Sequence, residues 1–531
     1  MPLIYPQRLR GWRFVLFNAV LGLGHVVVVS NVGGYAVLIP YVAGSLRGVL
    51  PSFALWANTD FMVGLAIGFP ISRWLAGRYG DYRLFIAAFF VYALAAFLCA
   101  ISESLWLFLP SRIALGFAGG ISLPVGQAML LNEYPERKRP LGLSIWGMFT
   151  LMPFTVGIPL AGWLNEHLGW RYLFYSDVAD ALIVASVTGA LLYGRGVHRR
   201  ITRFDGGGFI LLVVILLGTQ TIFNQGNDFD WFGWSWLMFG LLVAVIAALP
   251  CFAIWEMAER HPVLDIRLFA HRNYAVAAIC SMLGFLSIQG LFSIFVTQAQ
   301  LLLGYSSSLA GLIFMAMIPF SVPLIAVAHK LCEGHDARFV ASLNLLGLSF
   351  MMLWIGIFDD PSYFDRIFWP FLFLGFFLAT FFAPLGVLAL HGLPAARLLH
   401  AAEEFALLRT AAGAFGIALQ GVVQFRRAPF HQLDLADHFG GRRFPSLDLL
   451  GQLTAKLEAA GLTPAMTQGT LGELIKEKAA LLGLNDAFLL ASFIFVLLAV
   501  FVWLARPTHV AYASRAERLR ELRATELTEQ P

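Results

Sequence analysis

Residues 56–85 read WANTDFMVGLAIGFPISRWLAGRYGDYRLF. The stretch opens as an apolar run long enough to cross a bilayer, which takes about 20 residues at the rise of an α-helix. One carboxylate, Asp60, sits inside that run, and Arg73, Arg78 and Arg83 follow where the run ends. Arginine accumulates on the cytoplasmic side of membrane helices, so this end should face the cytoplasm. The short turn Gly77-Arg78-Tyr79-Gly80-Asp81 then leads into a second apolar run from Leu84. An acid at membrane depth is costly and is kept where it does work, so the pattern points to a transporter rather than an anchor.

The rest of the chain extends this reading. Of 531 residues, 59% are hydrophobic and only 13% charged, a balance that excludes a soluble globular protein of this size. The formal net charge of +4 gives no footprint for nucleic acid. Cys99, Cys251, Cys280 and Cys332 are scattered with no CxxC or Cys/His cluster, so neither a disulfide framework nor a metal or cofactor site is expected. The basic start MPLIYPQRLRGWR precedes a run too long for a cleaved signal and lacking small residues for cleavage, and it reads as a first span.

About fourteen spans of roughly 20 residues can be placed, all helical, because a lone segment in lipid must satisfy its own backbone. Most of the 36 Lys and Arg, including Arg137-Lys138-Arg139 and Arg195, Arg199, Arg200 and Arg203, fall on one side, which puts both termini in the cytoplasm. Gly157-Ile-Pro-Leu-Ala-Gly162 recurs as Gly416-Ile-Ala-Leu-Gln-Gly421, and Asp81-Tyr-Arg83 as Asp336-Ala-Arg338. Repeats at nearly one spacing predict two six-helix halves, a common transporter plan. The expected units are an N-terminal bundle over 1–203, two additional helices over 204–272 and a C-terminal bundle over 273–506. That last bundle includes a long outside loop at 426–483, and a charged tail follows at 507–531. Within the loop, LDLLGQLTAKLEAAG reads as an amphipathic helix.

Arg112 with Gly116, Arg78-Tyr-Gly80 with Arg83, and Gly157–Gly162 resemble the signature motifs of the major facilitator superfamily. Asp230-Trp231-Phe232 and Trp255-Glu256 leading to Pro262-Val-Leu-Asp265 are similar to its fourteen-span drug:proton antiporter branch, EmrB-type exporters above all. The resemblance implies an all-α major facilitator fold in a bacterial inner membrane, with two six-helix bundles and two extra helices. It implies proton-driven export of amphipathic compounds, with a periplasmic adaptor and an outer-membrane channel as partners. It also implies a gating role for Arg78, Gly80 and Arg83 and an antiporter motif in Gly157, Pro159 and Gly162.

The chain departs from the family pattern at informative places. A run resembling D-x-T-x-x-N-V-A-x-P is replaced by NVGGYAVLIP at 31–40, so the usual acid of the first span is Asn31, which cannot titrate. Arg73 stands for a leading glycine, Gly77 for an acid common in the superfamily, Leu115 for a glutamine, and the usual Gly-Pro pair is split as Gly157-Ile-Pro159. The proton carrier must therefore be sought elsewhere.

Candidates for proton or substrate binding are Asp60, Asp177, Asp180, Glu403, Glu404, His25, Arg112 and Arg409. A carboxylate taken out of water holds its proton more tightly, as a carrier requires. Asp60 together with Asp177 or Asp180 is expected to replace the missing acid, with Arg112 as counter-charge. The competing expectation is that these acids form fixed ion pairs with Arg112 and Arg409. Glu403 and Glu404 are adjacent and point about 100° apart, so one cavity can receive only one of them. Gln289, Gln298 and Gln300 could line the cavity or bridge helices. Alternatives to the exporter are an importer or facilitator of one metabolite, a membrane enzyme and a channel. No HExxH or Ser/His arrangement supports an enzyme, and no filter-like polar loop supports a channel.

Overall fold

A chain with this many apolar runs has one way to satisfy its backbone in lipid, and the computed structural model takes it. The structure describes residues 9–46, 51–135, 146, 153–193, 203–226, 228–229, 235–321, 324, 331–332, 334–357, 364–422, 426–437, 444–461 and 463–508. Among them lie sixteen α-helices. The N-terminal six are α1 (Trp12–Ser45), α2 (Pro51–Tyr79), α3 (Asp81–Ile101), α4 (Leu105–Glu133), α5 (Ile158–His167) and α6 (Arg171–Leu192). The additional pair is α7 (Gly206–Gln225) and α8 (Trp236–Ala258). There follow α9 (Arg272–Leu301), α10 (Ser307–Met315), α11 (Ala337–Gly356), α12 (Phe364–Leu390), α13 (Ala395–Val422), α14 (Ala428–Asp437), α15 (Phe444–Ala459) and α16 (Pro464–Phe501).

Eleven described helices are long and apolar enough to cross a membrane. Adding α5 and α10, whose described parts are short, and α13, whose apolar face is interrupted by Glu403, Glu404 and Arg409, gives fourteen. The helix that carries the last apolar run begins well before 484. Thr463 caps a helix that starts at Pro464 and runs unbroken into the apolar segment. The loop's predicted amphipathic helix is α15. Arg137–Arg139, Arg195, Arg199, Arg200, Asp230–Phe232 and 509–531 of the tail lie outside the described residues.

Glycines set how closely the helices approach. Gly116 on α4 rests directly on the Phe61 carbonyl of α2, and Gly120 rests on that of Leu65, leaving no room for a Cβ at either place. Small residues permit such contact, and van der Waals packing drives it where both alternatives are apolar. The contact matters because it brings Arg112, one turn before Gly116, against the backbone of α2. Gly116→Ala should push these helices apart. We expect a loss of about 1–3 kcal/mol, read as a lower melting temperature in detergent together with weakened transport.

The repeat has a geometric counterpart. A Cβ added at Gly34 of α1 would sit only 2.8 Å from the Gly157 carbonyl oxygen, and one at Gly290 of α9 only 2.5 Å from that of Gly416. The first and fifth helices of each half therefore meet through a glycine pair at matching positions. Asp81 opens α3, and Asp336 caps α11, the third helix of each half. Gly80 makes the α2–α3 turn with φ of +89°, a conformation that favours glycine. At the second turn Arg338 grips the Asp336 carboxylate at 2.8 Å and the Ala505 carbonyl at 3.1 Å, tying α11 to the end of α16. Burial alone would raise the Asp336 pKa, but the hydrogen bonds from Arg338 outweigh it and hold it below the usual carboxylate range. The clasp thus holds above that range and loosens as pH falls through the lowered pKa.

The two halves meet along α1–α9, α2–α13 and α5–α10. On the face away from the arginine-rich turns, Asn165 of α5 donates to Ser307 Oγ of α10 at 3.1 Å, and Ser307 donates to the Gly162 carbonyl at 2.9 Å. Gln289 and Gln300 bridge helices, donating to the Val32 and Val37 carbonyls of α1 at 3.2 and 3.1 Å. Gln298 is buried. Of the additional pair, α7 packs on both halves: Asn224 donates to Thr59 of α2 at 2.9 Å and Gln220 to the Ala414 carbonyl of α13 at 3.3 Å.

Candidate transport site

Five helices from distant parts of the sequence converge inside the N-terminal half. Arg112 of α4 is fully buried. Its Nε donates to the Ala57 carbonyl of α2 at 3.0 Å and its Nη1 to Asn31 Oδ1 of α1 at 2.9 Å. Asn31 passes the connection on, donating through Nδ2 to Asp177 Oδ2 of α6 at 2.7 Å and to the Tyr92 hydroxyl of α3 at 3.0 Å. The guanidinium lies over the rings of Tyr35 at 4.3 Å and Phe61 at 4.7 Å, a second source of stabilisation for a desolvated cation.

Asn31 is therefore the hub of this network rather than a gap in it. An amide can accept from a cation through its oxygen and donate to a carboxylate through its nitrogen. A carboxylate at position 31 could do only the first. Asp177 and Arg112 are linked through Asn31, and no direct ion pair between them exists. Asp60 is buried within electrostatic range of Arg112, again with no direct ion pair. Asp180 is half-buried one turn beyond Asp177 and makes no hydrogen bond among the described residues. Arg112 thus has two acids in its field and a fixed bond to neither.

A second cluster closes the arginine-rich face between the halves. Arg73 of α2 donates to His400 Nδ1 of α13 at 2.7 Å and lies 3.6 Å from Glu403. His400 Nε2 is 2.8 Å from Glu404 Oε1, and the same oxygen accepts from the Asp265 amide at 2.7 Å. Glu404 is buried and Glu403 partly exposed, yet both line the cavity beside them, which departs from the expectation that one cavity receives only one of the pair. Beside them opens a cavity of about 490 Å³, with Phe69, Trp74, Arg203, His261, Arg397 and Leu407 among its walls. The Trp255-Glu256 and Pro262–Asp265 motif frames it: Trp255 Nε1 donates to Asp205 at 2.8 Å, and Glu256 accepts from the Leu264 amide. The connecting segment is so pinned onto α13.

The remaining candidates fall elsewhere. His25 is buried in α1 with its ring edge-on to Trp146 at 4.3 Å. Arg409 of α13 pairs with no described acid, which departs from the fixed-pair expectation; the described acids of its own helix are engaged near Arg73. Arg78 and Arg83 are exposed and lie over Trp74 and Tyr82 at 5.6 and 5.8 Å, with no ion pair among the described residues. The charge that crosses the half-interface on this face belongs to Arg73. Gly157 and Pro159 work together in close packing, since Gly157 meets Ser30 of α1 and Pro159 meets Gly311 of α10. A π-helical turn at Pro153–Gly157 precedes them and interrupts the regular ladder.

Sequence reading did not find Tyr92, Tyr35 or His400. An aromatic or a histidine in an apolar span carries no signal of its own. Arg73 was visible as a departure from the family pattern, which is a usable sign.

The sequence profile of the Major Facilitator Superfamily matches residues 21–418. The multidrug export protein EmrB of Haemophilus influenzae is 30% identical over 503 residues, spanning 94% of this chain and 97% of that protein. The fatty acid resistance protein FarB of Neisseria gonorrhoeae is 29% identical over 503 residues, with 95% and 98% covered. Among solved structures, an inward-facing, unoccupied bacterial homolog of the human lysosomal transporter Spinster superposes with a TM-score of 0.60 at 13% identity, over 93% of this chain and 97% of that one. With its paired halves and full-length likeness, the chain belongs to the Major Facilitator Superfamily.

Proposed function

We propose that the chain exports amphipathic small molecules across a bacterial inner membrane in exchange for protons, with both termini in the cytoplasm. The observation that carries this reading is the buried Arg112–Asn31–Asp177 chain with Asp60 beside it. Likeness to a multidrug export protein along the whole length supports the export direction. A buried cation with two acids in its field is charge-balanced when one acid is protonated, and the proton can sit on Asp177 or on Asp60 without changing that balance.

The coupling follows from the hydrogen bonds. While Asp177 is ionised it accepts from Asn31, which keeps Arg112 engaged and α1, α4 and α6 in register. A proton on Asp177 weakens that charge-assisted bond. Asn31 is then held by Arg112 alone, and α1 can shift against α6. Because α1 meets α9 and α5 meets α10 along the outer side, a small shift inside one half tilts it against the other. On the cytoplasmic side the Arg73–His400–Glu403 cluster would part and re-form as the cavity opens and closes. A periplasmic adaptor and an outer-membrane channel would complete the route on the outer face.

The test is efflux of lipophilic dyes from energised inverted vesicles. Accumulation should collapse on adding a proton uncoupler. Accumulation indifferent to the uncoupler would remove the proton from the scheme.

A further inference from the structure

The additional helix α7 is an apolar span, yet Gln220, Asn224 and Gln225 are all buried on it. Two of these amides reach the halves. Asn224 donates through Nδ2 to Thr59 Oγ1 of α2 at 2.9 Å, and Gln220 donates to the Ala414 carbonyl of α13 at 3.3 Å. Their oxygens, Asn224 Oδ1 and Gln220 Oε1, stay buried with no donor. Gln225 is fully buried with neither amide atom partnered, and so is Asn58 of α2, next to Thr59. Met62, one turn on from Asn58, meets Gly413 of α13, so Asn58 lies on the α13 side of α2. Six amide atoms around one junction of α2, α7 and α13 thus lack a hydrogen bond among the described residues.

Interhelical bonding accounts for one end of Gln220 and of Asn224. It does not account for Gln225 and Asn58, which make no bond at all. Orphaned buried amides are costly, and water satisfies all six at once. A buried water makes about three hydrogen bonds and takes about one probe sphere of space, so it needs no open cavity. The junction is also close to the surface and to an acid. Asn224 is the last residue but one of α7, so its bond to Thr59 puts Asp60 within about one turn of that helix's outer end. Asp228, just beyond, is exposed. At the inner side the Trp56 indole lies within interaction range of the Asp60 carboxylate, yet its Nε1 is buried with no direct hydrogen bond. Water bridges polar groups held apart in this way.

Resting on the exporter reading, we infer that α7 is a proton-access helix: with α2 and α13 it holds a short file of water that links Asp60 to the outer face. The amides hold the water and do not change charge themselves. A proton entering from outside passes along the file, each water taking one proton and giving one on, and the last is taken by the Asp60 carboxylate.

The double variant Asn58→Leu, Gln225→Leu removes four of the orphaned atoms and breaks no hydrogen bond of the protein. Were these amides dry, it would raise the melting temperature and leave transport alone. In proteoliposomes it should instead slow substrate-coupled proton movement by about tenfold or more, raise the solvent deuterium isotope effect on that rate, and leave counterflow within about twofold of wild type. Asn58→Ser, which keeps a polar group and leaves room for water, should run near the wild-type rate. X-ray radiolytic hydroxyl labelling reads the water directly. Met62, 0% exposed but one turn from Asn58, should be oxidised in wild type and spared in the double variant. Met352, equally buried with no orphaned group within a turn of it on α11, should be spared in both. Met62 labelled no more than Met352 in wild type, or proton movement at the wild-type rate in the double variant, overturns the inference. If the double variant fails to fold by thermal melting, the wild-type labelling and the Asn58→Ser rate decide it. Labelled Met62 with efflux indifferent to an uncoupler would sink the exporter reading and leave the water site standing; unlabelled Met62 with uncoupler-sensitive efflux would do the reverse.

Discussion

Arg112→Lys is expected to remove more than nine-tenths of transport while the protein still inserts and folds. Lysine keeps the charge, but one ammonium cannot reach both the Ala57 carbonyl of α2 and Asn31 of α1, which the guanidinium meets through Nε and Nη1 at 3.0 and 2.9 Å. It also lacks the flat surface that lies over Tyr35 and Phe61. A lost hydrogen bond to a charged group costs roughly 1.5–3 kcal/mol, enough to change the balance between two conformations by tenfold or more. Arg112→Ala is harsher. It leaves Asp177 and Asp60 buried with no compensating charge, and breaking such a set costs on the order of 3–5 kcal/mol. Thermal melting in detergent, run beside efflux, separates the two outcomes: a modest shift for lysine, a large one for alanine.

The second large effect belongs to the acids themselves. Asp177→Asn should uncouple transport from the proton gradient, because an amide cannot change charge at the position where Asn31 donates. Asp60→Asn should do the same if the proton visits both groups in turn, and the double variant should carry substrate only down its own gradient. Counterflow of labelled against unlabelled substrate needs no net proton movement, so it should persist in all three. A loss of counterflow equal to the loss of coupled transport would mean that these acids hold helices together and do not carry protons.

The spans were legible because hydropathy is local: each helix announces itself within its own 20 or so residues. The glycine repeats were legible for a related reason, since Gly157 and Gly416 each answer a demand for close approach that any larger residue would fail. Partnerships were not. Asn31, Arg112 and Asp177 lie on three helices, and nothing near position 31 says that its amide will face a guanidinium on one side and a carboxylate on the other. Read alone, Asn31 looked like a missing acid. Its two-sided hydrogen bonding makes it the joint between the charges instead. Arg73 is a similar case, an apparent oddity in a glycine position that gains meaning only when His400 and Glu403 are brought to it from the other half. Arg409 was expected to close an ion pair, and its aromatic surroundings could not have been read from spacing along α13.

The most direct test of the whole account is proton movement itself. In proteoliposomes holding the wild-type chain and a trapped pH dye, adding substrate on the cytoplasmic-facing side under no imposed gradient should move protons the opposite way as substrate enters. The Asp60→Asn, Asp177→Asn double variant should bind the same substrate with little change and move none. Proton movement that persists undiminished in the double variant would contradict the account.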